Sequence, residues 1–396
     1  MGDVVTNNCG HLNFNNKIHM KILFLSHYSF LYGSNRSLDS LIDYFSEHGY
    51  EVEVLLPSKG EFYKHLSRKK VKVSTFMFLY EVLYYKANIK YLSLPLLWLY
   101  DFVVFPLLVL KVKHISPDII YSNSSADLFS VWIAKLLKIK HVIHIREFME
   151  EDFGGRCIIG KKMKRKILLK SDKVVCVSQA VANTVIGNLP YYAKVIYNGL
   201  PINIAECEYP DFSKNLRIGV VGNIDVSKQQ GLAINYMPEI LSVFPHATLH
   251  IIGDKECSYK RFILNRVHDL HLENYVVFEG FLKNVDDIYR KFDVLLMCSR
   301  SEAFGRVTIE AMIRRKPVIG YMSGGTNELI EQGVTGFKFK DVADVISALR
   351  IYVEDELATR NIIDKAQKVA CKKFSEENYT RNVFQFLNND SWQLIH

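Results

Sequence analysis

Short apolar runs alternate with longer stretches in which apolar residues recur every three or four positions, from Met20 almost to the end of the chain. Lys21-Ile22-Leu23-Phe24-Leu25-Ser26 predicts a buried strand closed by turn chemistry. Ser34-Asn35-Arg36-Ser37 can cap a helix beginning near Leu38, because Leu38, Leu41, Ile42 and Phe45 repeat at helical spacing. His48-Gly49 ends that helix. Glu51 to Pro57 predicts a second strand, Val71 to Phe76 a third and Asp118 to Asn123 a fourth. His141 to His144 predicts a fifth and Lys173 to Ser178 a sixth. Strands alternating with helices build a parallel, doubly wound sheet.

The pattern restarts after a polar, Pro-containing link from Asn198 to Asn215. New strands are expected at Leu216 to Gly222, Ala247 to Gly253, Tyr275 to Gly280, Val294 to Cys298 and Pro317 to Gly320. Asp344 to Phe374 reads as helical, and a terminal helix follows near Glu376 to Leu387. The expected fold class is therefore α/β, with two doubly wound domains facing a central cleft. The boundaries are a mobile tail at 1–19, a first domain at 20–197, a linker at 198–215 and a second domain at 216–375. Residues 376–396 carry a helix expected to pack back on the first domain. The apolar stretch Tyr91 to Val112 has nearly the length of a membrane span. Asp101, Pro95 and Pro106 argue against spanning, which leaves a buried or interfacial helical pair.

Composition narrows the class. An apolar fraction of 49% in 396 residues supports two full cores, so disorder is excluded. A net charge of +8 points to anionic partners: phosphates, nucleic acid or an anionic membrane. The seven Cys are scattered without paired spacing, which fits a cytoplasmic setting without disulfides or structural zinc. Met1 to Asn16 lacks an apolar signal core. Met1-Gly2-Asp3-Val4-Val5-Thr6 formally fits a myristoylation pattern, but the pattern is short and a mobile polar tail is the expected reading.

The densest chemistry lies in Ser301-Glu302-Ala303-Phe304-Gly305-Arg306-Val307-Thr308-Ile309-Glu310-Ala311. Gly305 stands before an apolar, helix-competent run, so backbone N–H groups and a helix dipole can meet an anion there. Glu302 before the helix and Glu310 inside it can accept hydrogen bonds from ligand hydroxyls in one crevice. Taken alone, two Glu at a helix start are a charge preference on a solvated face. Here the buried run Asp293 to Cys298 puts them at the carboxyl end of a parallel strand, where open sheets bind ligands.

The segment from Gly280 to Phe337 resembles the retaining nucleotide-sugar glycosyltransferases of the GT-B type, family GT4. The residues that carry the likeness are Ser301 to Gly305, Ile309 to Met312, Pro317 to Gly320, Gly324-Gly325, Glu328 to Ile330 and Gly333 to Phe337. A weaker likeness extends from Met20, including the turn Tyr32-Gly33-Ser34. The resemblance implies two Rossmann-like domains, an acceptor domain first and a nucleotide-sugar donor domain second. It implies that Glu302 binds sugar hydroxyls, Glu310 the ribose, and the backbone of Phe304, Gly305, Arg306 and Val307 the sugar or diphosphate. Gly33, Ser34, Gly222 and Asn223 would face the diphosphate, and Gly253 and Phe281 the base. Lys228 would neutralise the leaving diphosphate. The family often has Gly-Arg where Gly222-Asn223 stands, so one cation is missing, and Arg306 or Arg36 could replace it. The family's His-acid pair after the fifth strand corresponds either to His144 or to Arg146-Glu147, which implies a catalytic contact on the sugar or acceptor side, and a core histidine in the strand is the alternative for His144.

By the same resemblance the reaction is transfer of a hexose from a UDP- or GDP-sugar with retention, needing no cofactor and no metal. A front-face route, in which the departing phosphate takes the acceptor proton, fits the family. The basic run Lys161-Lys162-Met163-Lys164-Arg165-Lys166 followed by Ile167-Leu168-Leu169 reads as an anionic membrane contact or a solvated cationic face. With Tyr91 to Val112 it favours a lipid-linked saccharide acceptor on the inner face of the cytoplasmic membrane, in bacterial surface polysaccharide assembly (O antigen or capsule). No nucleic-acid motif accompanies the charge. Two other classes fit the same residues: a sugar-nucleotide epimerase of this fold and a catalytically silent sugar-nucleotide-binding scaffold.

Overall fold

The structure is a computed structural model that describes residues 20–77, 82–84, 94–148, 155–157, 159–204, 207–213 and 215–389. The tail at 1–19, residues 91–93 and the last seven residues therefore lie outside the described residues. In chain order the first strands are β1 Lys21–Leu25, β2 Glu51–Leu56, β3 Lys72–Thr75, β4 Val82–Tyr84 and β5 Ile119–Ser122. They continue with β6 Lys140–Ile145, β7 Gly155–Cys157, β8 Lys173–Cys176 and β9 Ala193–Val195. The later strands are β10 Arg217–Val221, β11 Thr248–Ile252, β12 Val276–Gly280, β13 Val294–Met297, β14 Val318–Tyr321 and β15 Phe337–Phe339. One sheet has the order β3-β2-β1-β5-β6-β8-β9 and the other β12-β11-β10-β13-β14-β15. Every pairing inside these two sheets is parallel. β4 and β7 form a separate antiparallel ribbon. The chain is thus two Rossmann-like α/β units, as expected.

Burial on both faces explains why the central strands are nearly continuous apolar runs. Ile22 and Phe24 face α1 (Gly33–Glu47), α2 (Glu61–Arg68) and the C-terminal helix Glu376–Asn388. Leu23 and Leu25 face the other way, under α3 (Leu94–Ile115) and α4 (Phe129–Leu137). The C-terminal helix crosses from the second unit and buries Tyr379, Val383, Phe386 and Leu387 against the first. Lys173, fully buried, secures its end: the ammonium donates to the carbonyls of Phe386 and, at 3.0 Å, Asn389. A cation on the last carbonyls of a helix also complements its dipole.

Several sequence expectations need correction. α1 begins at Gly33, not near Leu38, so Ser34 to Ser37 lie inside its first turns. Asn35 is buried and holds the preceding loop instead, donating to the Tyr28 and Phe30 carbonyls at 3.1 and 2.8 Å. The apolar stretch forms one 22-residue helix rather than a pair, with Pro106 inside. Pro106 lies on the exposed side, where water can serve the carbonyl its ring leaves without a donor. Asp355 splits the expected long helix in two by ending Val342–Glu354 and capping the Ala358 N–H at 2.9 Å. The edge strands β9 and β15 went unforeseen because three residues carry too little period to read.

Two buried imidazoles make stability depend on pH. His141 and His144 are fully buried in β6, bonded to Ser171 at 2.9 Å and Tyr121 at 2.7 Å respectively. Burial pulls the His141 pKa from 6.5 down to about 3, and it also lowers His144, beside Arg146. Groups with lowered values stabilise the fold above about pH 6.5, and that stability is lost as pH falls. Asp127 acts oppositely: burial raises it from 3.8 to about 6, so its contribution is lost as pH rises through about 6. The histidines dominate near neutrality. Urea unfolding should show a net loss on the order of 1 kcal/mol between about pH 7.5 and about pH 6. His141→Gln should reduce that difference, while an unchanged pH dependence would contradict the assignment.

Candidate functional site

The loop at residues 298–305 is set by packing before any ligand is considered. β13 is buried along its length and delivers the chain to residues 298–305, after which the helix Arg306–Ile313 begins. Gly305 caps that helix at φ 92°, a left-handed conformation that any side chain would strain. The Glu302 carbonyl accepts the Gly325 N–H at 2.6 Å, and a Cβ on Gly325 would lie 2.8 Å from the Ala303 carbonyl oxygen. The Gly324-Gly325 pair is therefore what lets this loop sit so low. Phe304 is 5% exposed and packs between Tyr197 and Phe374. Its ring anchors the loop, leaving the backbone to meet a ligand.

Glu302 and Glu310 retain side-chain exposures of 16% and 17%, a depth at which a carboxylate is reachable but constrained. Lys228 reaches Glu302 with an Nζ–Oε2 distance of 2.6 Å. Its position follows from the turn after β10, where Asp225 caps the Ser227 N–H at 3.1 Å and the lysine chain lies over Gly222. Glu310 is held from two sides: the Tyr289 hydroxyl donates at 3.0 Å, and Arg306 stands 3.6 Å away. Burial keeps the Tyr289 pKa well above 10, with Glu310 adding to the effect, so the phenol stays a donor. Gly222 and Gly253 come together at the tops of β10 and β11, joined by the Gly222 N–H to Ile252 carbonyl bond at 2.9 Å. Asn223 is exposed there, and Phe281 is 67% exposed just beyond β12.

The opposite wall is the start of α1. Neither α1 nor the helix Arg306–Ile313 has an acid in its first turn, so both positive ends stand uncompensated. Arg306 crosses between them, with one terminal nitrogen 3.5 Å from Ser37 Oγ and its Cδ 3.5 Å from where a Gly33 Cβ would be. Burial lowers the Arg306 pKa and nearby Arg36 adds to this, while Glu310 pulls it back. Ser34 is tied to the Tyr28 hydroxyl in the same turn. The structure therefore brings Arg306 and Glu310 together beside Gly33 and Ser37 of α1, and it pairs Lys228 with Glu302 on the loop before the same helix.

His144 and Arg146 fall elsewhere. His144 is fully buried inside β6 with Nδ1 on Tyr121, so a direct contact with substrate is removed. Arg146 is 6% exposed, and its three nitrogens meet Asn123, Asn198 and Tyr379 at 2.6, 2.5 and 2.8 Å. That guanidinium ties β5, the linker and the C-terminal helix together instead of facing a reacting atom. Glu147 beside it accepts from Ser124 Oγ at 2.8 Å and the Ser125 N–H at 2.7 Å. All three side chains are buried, so the sequence alone could not separate a structural partner from a substrate contact here. Tyr289 was not read as a site residue, and Ser37 was read only as part of a helix cap, because each sits at an ordinary helical position. Among the described residues no group of three or more His, Cys, Asp or Glu could hold a metal ion.

One contact joins the two units outside the crevice. Glu328 accepts the Gln179 and Ala180 N–H groups at 2.9 and 2.5 Å and the Tyr197 hydroxyl at 2.9 Å. Its place in the Gly324-Gly325 to Ile330 stretch was legible, but its partner across the interface was not.

Two family models match the chain, one described as Glycosyltransferase Family 4 over residues 32–203 and one as Glycosyl transferases group 1 over residues 215–355. N-acetyl-alpha-D-glucosaminyl L-malate synthase of Bacillus anthracis is 33% identical over 135 residues, covering 33% of this chain and 34% of that protein. The chain thus spans about a third of the length of that relative. Alpha-monoglucosyldiacylglycerol synthase of Streptococcus pneumoniae is 24% identical over 303 residues, 69% of this chain and 67% of its own. The crystal structure of Anabaena HepE in complex with UDP and glucose superposes with a TM-score of 0.75 at 24% identity, covering 94% of this chain and 100% of that one. This last likeness establishes the fold.

Removing the Glu328 carboxylate should leave two backbone donors and a phenol without their acceptor. Glu328→Ala is expected to cost about 1–3 kcal/mol in urea unfolding, with Glu328→Gln intermediate. It should also speed proteolysis within residues 198–215. Equal stability and equal cleavage in all three proteins would show that the contact carries no weight.

Proposed function

The chain belongs to the group 1, family 4 glycosyltransferases, and on that premise we propose that it transfers a hexose from a UDP- or GDP-sugar to a lipid-linked saccharide with retention of configuration. The observation that carries this reading is the convergence of two acid-free helix N-termini, Arg306 and Lys228 beside two part-exposed carboxylates. A nucleoside diphosphate sugar combines the two chemistries such a place can take, phosphate charge and vicinal hydroxyls.

In this mechanism the acceptor hydroxyl attacks the anomeric carbon as the bond from that carbon to the diphosphate oxygen breaks. The departing diphosphate accepts the acceptor proton on the same face. Lys228 and Arg306 neutralise the charge that develops on it, which is where preorganised cations lower a barrier. Glu302 would hold sugar hydroxyls and Glu310 the ribose. Tyr289 is a positioning residue for Glu310, since it bonds one oxygen and leaves the other to the cleft side near Arg306. The Lys228–Glu302 pair makes both groups interdependent: an ammonium drawn to the diphosphate frees Glu302 to accept from the sugar.

A lipid-borne acceptor is supported by the basic helix Lys161–Leu168 on the first unit. One relative is also named for a glucosyldiacylglycerol product. Assembly of a surface polysaccharide or glycolipid accommodates these features.

Lys228→Ala and Glu302→Ala should each lower turnover by about 10²–10³-fold with UDP- or GDP-sugar donors. A thermal-shift panel of those donors identifies the nucleotide to use. Tyr289→Phe should raise KM for the donor several-fold with little change in kcat, as expected for a group that orients a binding carboxylate. Wild-type kinetics in both Lys228→Ala and Glu302→Ala, or donor consumption without any acceptor, would overturn the proposal.

A further inference from the structure

We propose that the carboxyl ends of β1, β5 and β6 form a site for the acceptor, in which His27 and Glu147 hold hydroxyls of a neutral saccharide. The assignment rests on the donor reading above and supplies residues for the other side of the reaction. Each of the two large sheets has one place where the strand order turns back. In the second sheet it lies between β10 and β13, and the loops that leave these strands carry Lys228 and Glu302. In the first sheet the same reversal lies between β1 and β5. Open parallel sheets bind ligands in the crevice outside the strand ends at such a point. The loop after β1 carries His27 and the loop after β5 carries Ser124 and Ser125. Glu147 follows β6 and is bonded to both serines.

His27 is the group with unspent bonding capacity. The residue is exposed, and its imidazole takes no hydrogen bond among the described residues, only an edge contact with the Tyr28 ring at 4.6 Å. Desolvation nevertheless lowers its pKa below 6.5, and the nearby Glu147 charge opposes that only in part. A ring that water reaches and that protein still desolvates lies in a concave space. Neutral near pH 7, it can donate from one nitrogen to a ligand hydroxyl and accept with the other. Glu147 is 8% exposed, and its Oε1 accepts from Ser124 Oγ at 2.8 Å, the Ser125 N–H at 2.7 Å and Ser125 Oγ at 2.8 Å. Its Oε2 takes no hydrogen bond among the described residues, yet it is not one of the sealed polar atoms, which leaves an acceptor for a second hydroxyl.

The loop after β1 is held still around this ring. Asn35, fully buried, spends its whole amide there: Nδ2 donates to the Tyr28 and Phe30 carbonyls, and Oδ1 accepts from Ser26 Oγ at 2.7 Å and Asn123 Nδ2 at 3.3 Å. The last of these bonds joins the loops after β1 and β5. An imidazole without a hydrogen bond on so fixed a loop adds nothing to the loop's own bonding, which is the pattern of a preorganised contact. Charge then selects the ligand. Among the described residues the Lys or Arg at these three strand ends is Arg146 alone, and its nitrogens are committed to Asn123, Asn198 and Tyr379. With Glu147 adding negative charge, a second phosphate is disfavoured and a neutral polyol is suited. Phe30 and Tyr32, 56% and 62% exposed on the same loop, stack with centroids 5.6 Å apart. They offer flat apolar surface of the kind that packs against the C–H face of a sugar ring.

The test uses the full chain, the UDP- or GDP-sugar that gives the largest thermal shift, and three probe acceptors: octyl β-glucoside, octyl β-galactoside and octyl α-mannoside. Wild type should transfer to at least one of them. His27→Ala should raise KM for that glycoside about tenfold, the loss expected when a ligand hydrogen bond is removed. Its donor thermal shift and urea midpoint should match wild type, since the ring is exposed and makes no hydrogen bond. His27→Gln should recover most of the loss, because an amide also donates and accepts. Glu147→Gln should raise the same acceptor KM and leave the donor KM in place. An unchanged acceptor KM in His27→Ala would overturn the proposal. So would an equal rise in donor KM, or transfer to none of the three glycosides by a protein whose donor shift is intact. Absence of a shift with every donor would remove the donor reading, and this one with it, a result distinct from the others.

Discussion

The site depends on one electrostatic constraint: positive potential is concentrated where the two units meet, and nothing acidic in the first turns of the helices cancels it. The N-termini of α1 and of the helix Arg306–Ile313 both point there without acids. Arg306 adds a full charge at a point where burial already disfavours it. A protein seeking only stability would place a carboxylate there, since an acid at a helix start is worth a few tenths to one kcal/mol. Glu310 is instead held 3.6 Å from Arg306, one turn deeper, partly occupied by Tyr289. The potential is compensated enough to be tolerated and not enough to be neutralised.

The rest of the second unit can be understood as support for that arrangement. Phe304 pins the loop from below, Gly325 takes the Glu302 carbonyl, and Asp225 sets the turn that carries Lys228. Phe304 and Gly325 act through the core and the backbone, Asp225 through its carboxylate on the Ser227 N–H, and Tyr289 takes one oxygen of Glu310. The 2.6 Å pair between Lys228 and Glu302 couples the turn after β10 to the loop before Arg306.

Legibility in the sequence followed the length scale of the interaction. The two sheets were readable because each strand is a local apolar run and each crossover a local period. Glu302, Glu310 and Gly305 were readable because loop and helix start lie within one short segment. His144 and Arg146 were not: His144, Arg146 and Glu147 are all buried, and two of the partners that hold Arg146, Asn198 and Tyr379, arrive from far along the chain. α3 shows the same limit in another form. Its composition marks it as apolar all round, and only the packed sheet divides it into a buried stripe and an exposed one.

Long-range contacts also tie the two units together. Arg146 binds the linker residue Asn198 and the C-terminal residue Tyr379 at once, while Ser40 of α1 donates to Glu376 at 2.7 Å. Glu328 fastens the units from the second side. The first unit is therefore clasped by a linker and a terminal helix that both belong to the chain beyond it. Any change in the angle between the units must strain or break one of these contacts. Arg306 reaches Ser37 at 3.5 Å, the outer limit of a hydrogen bond. A contact this long adds little to holding the two units together.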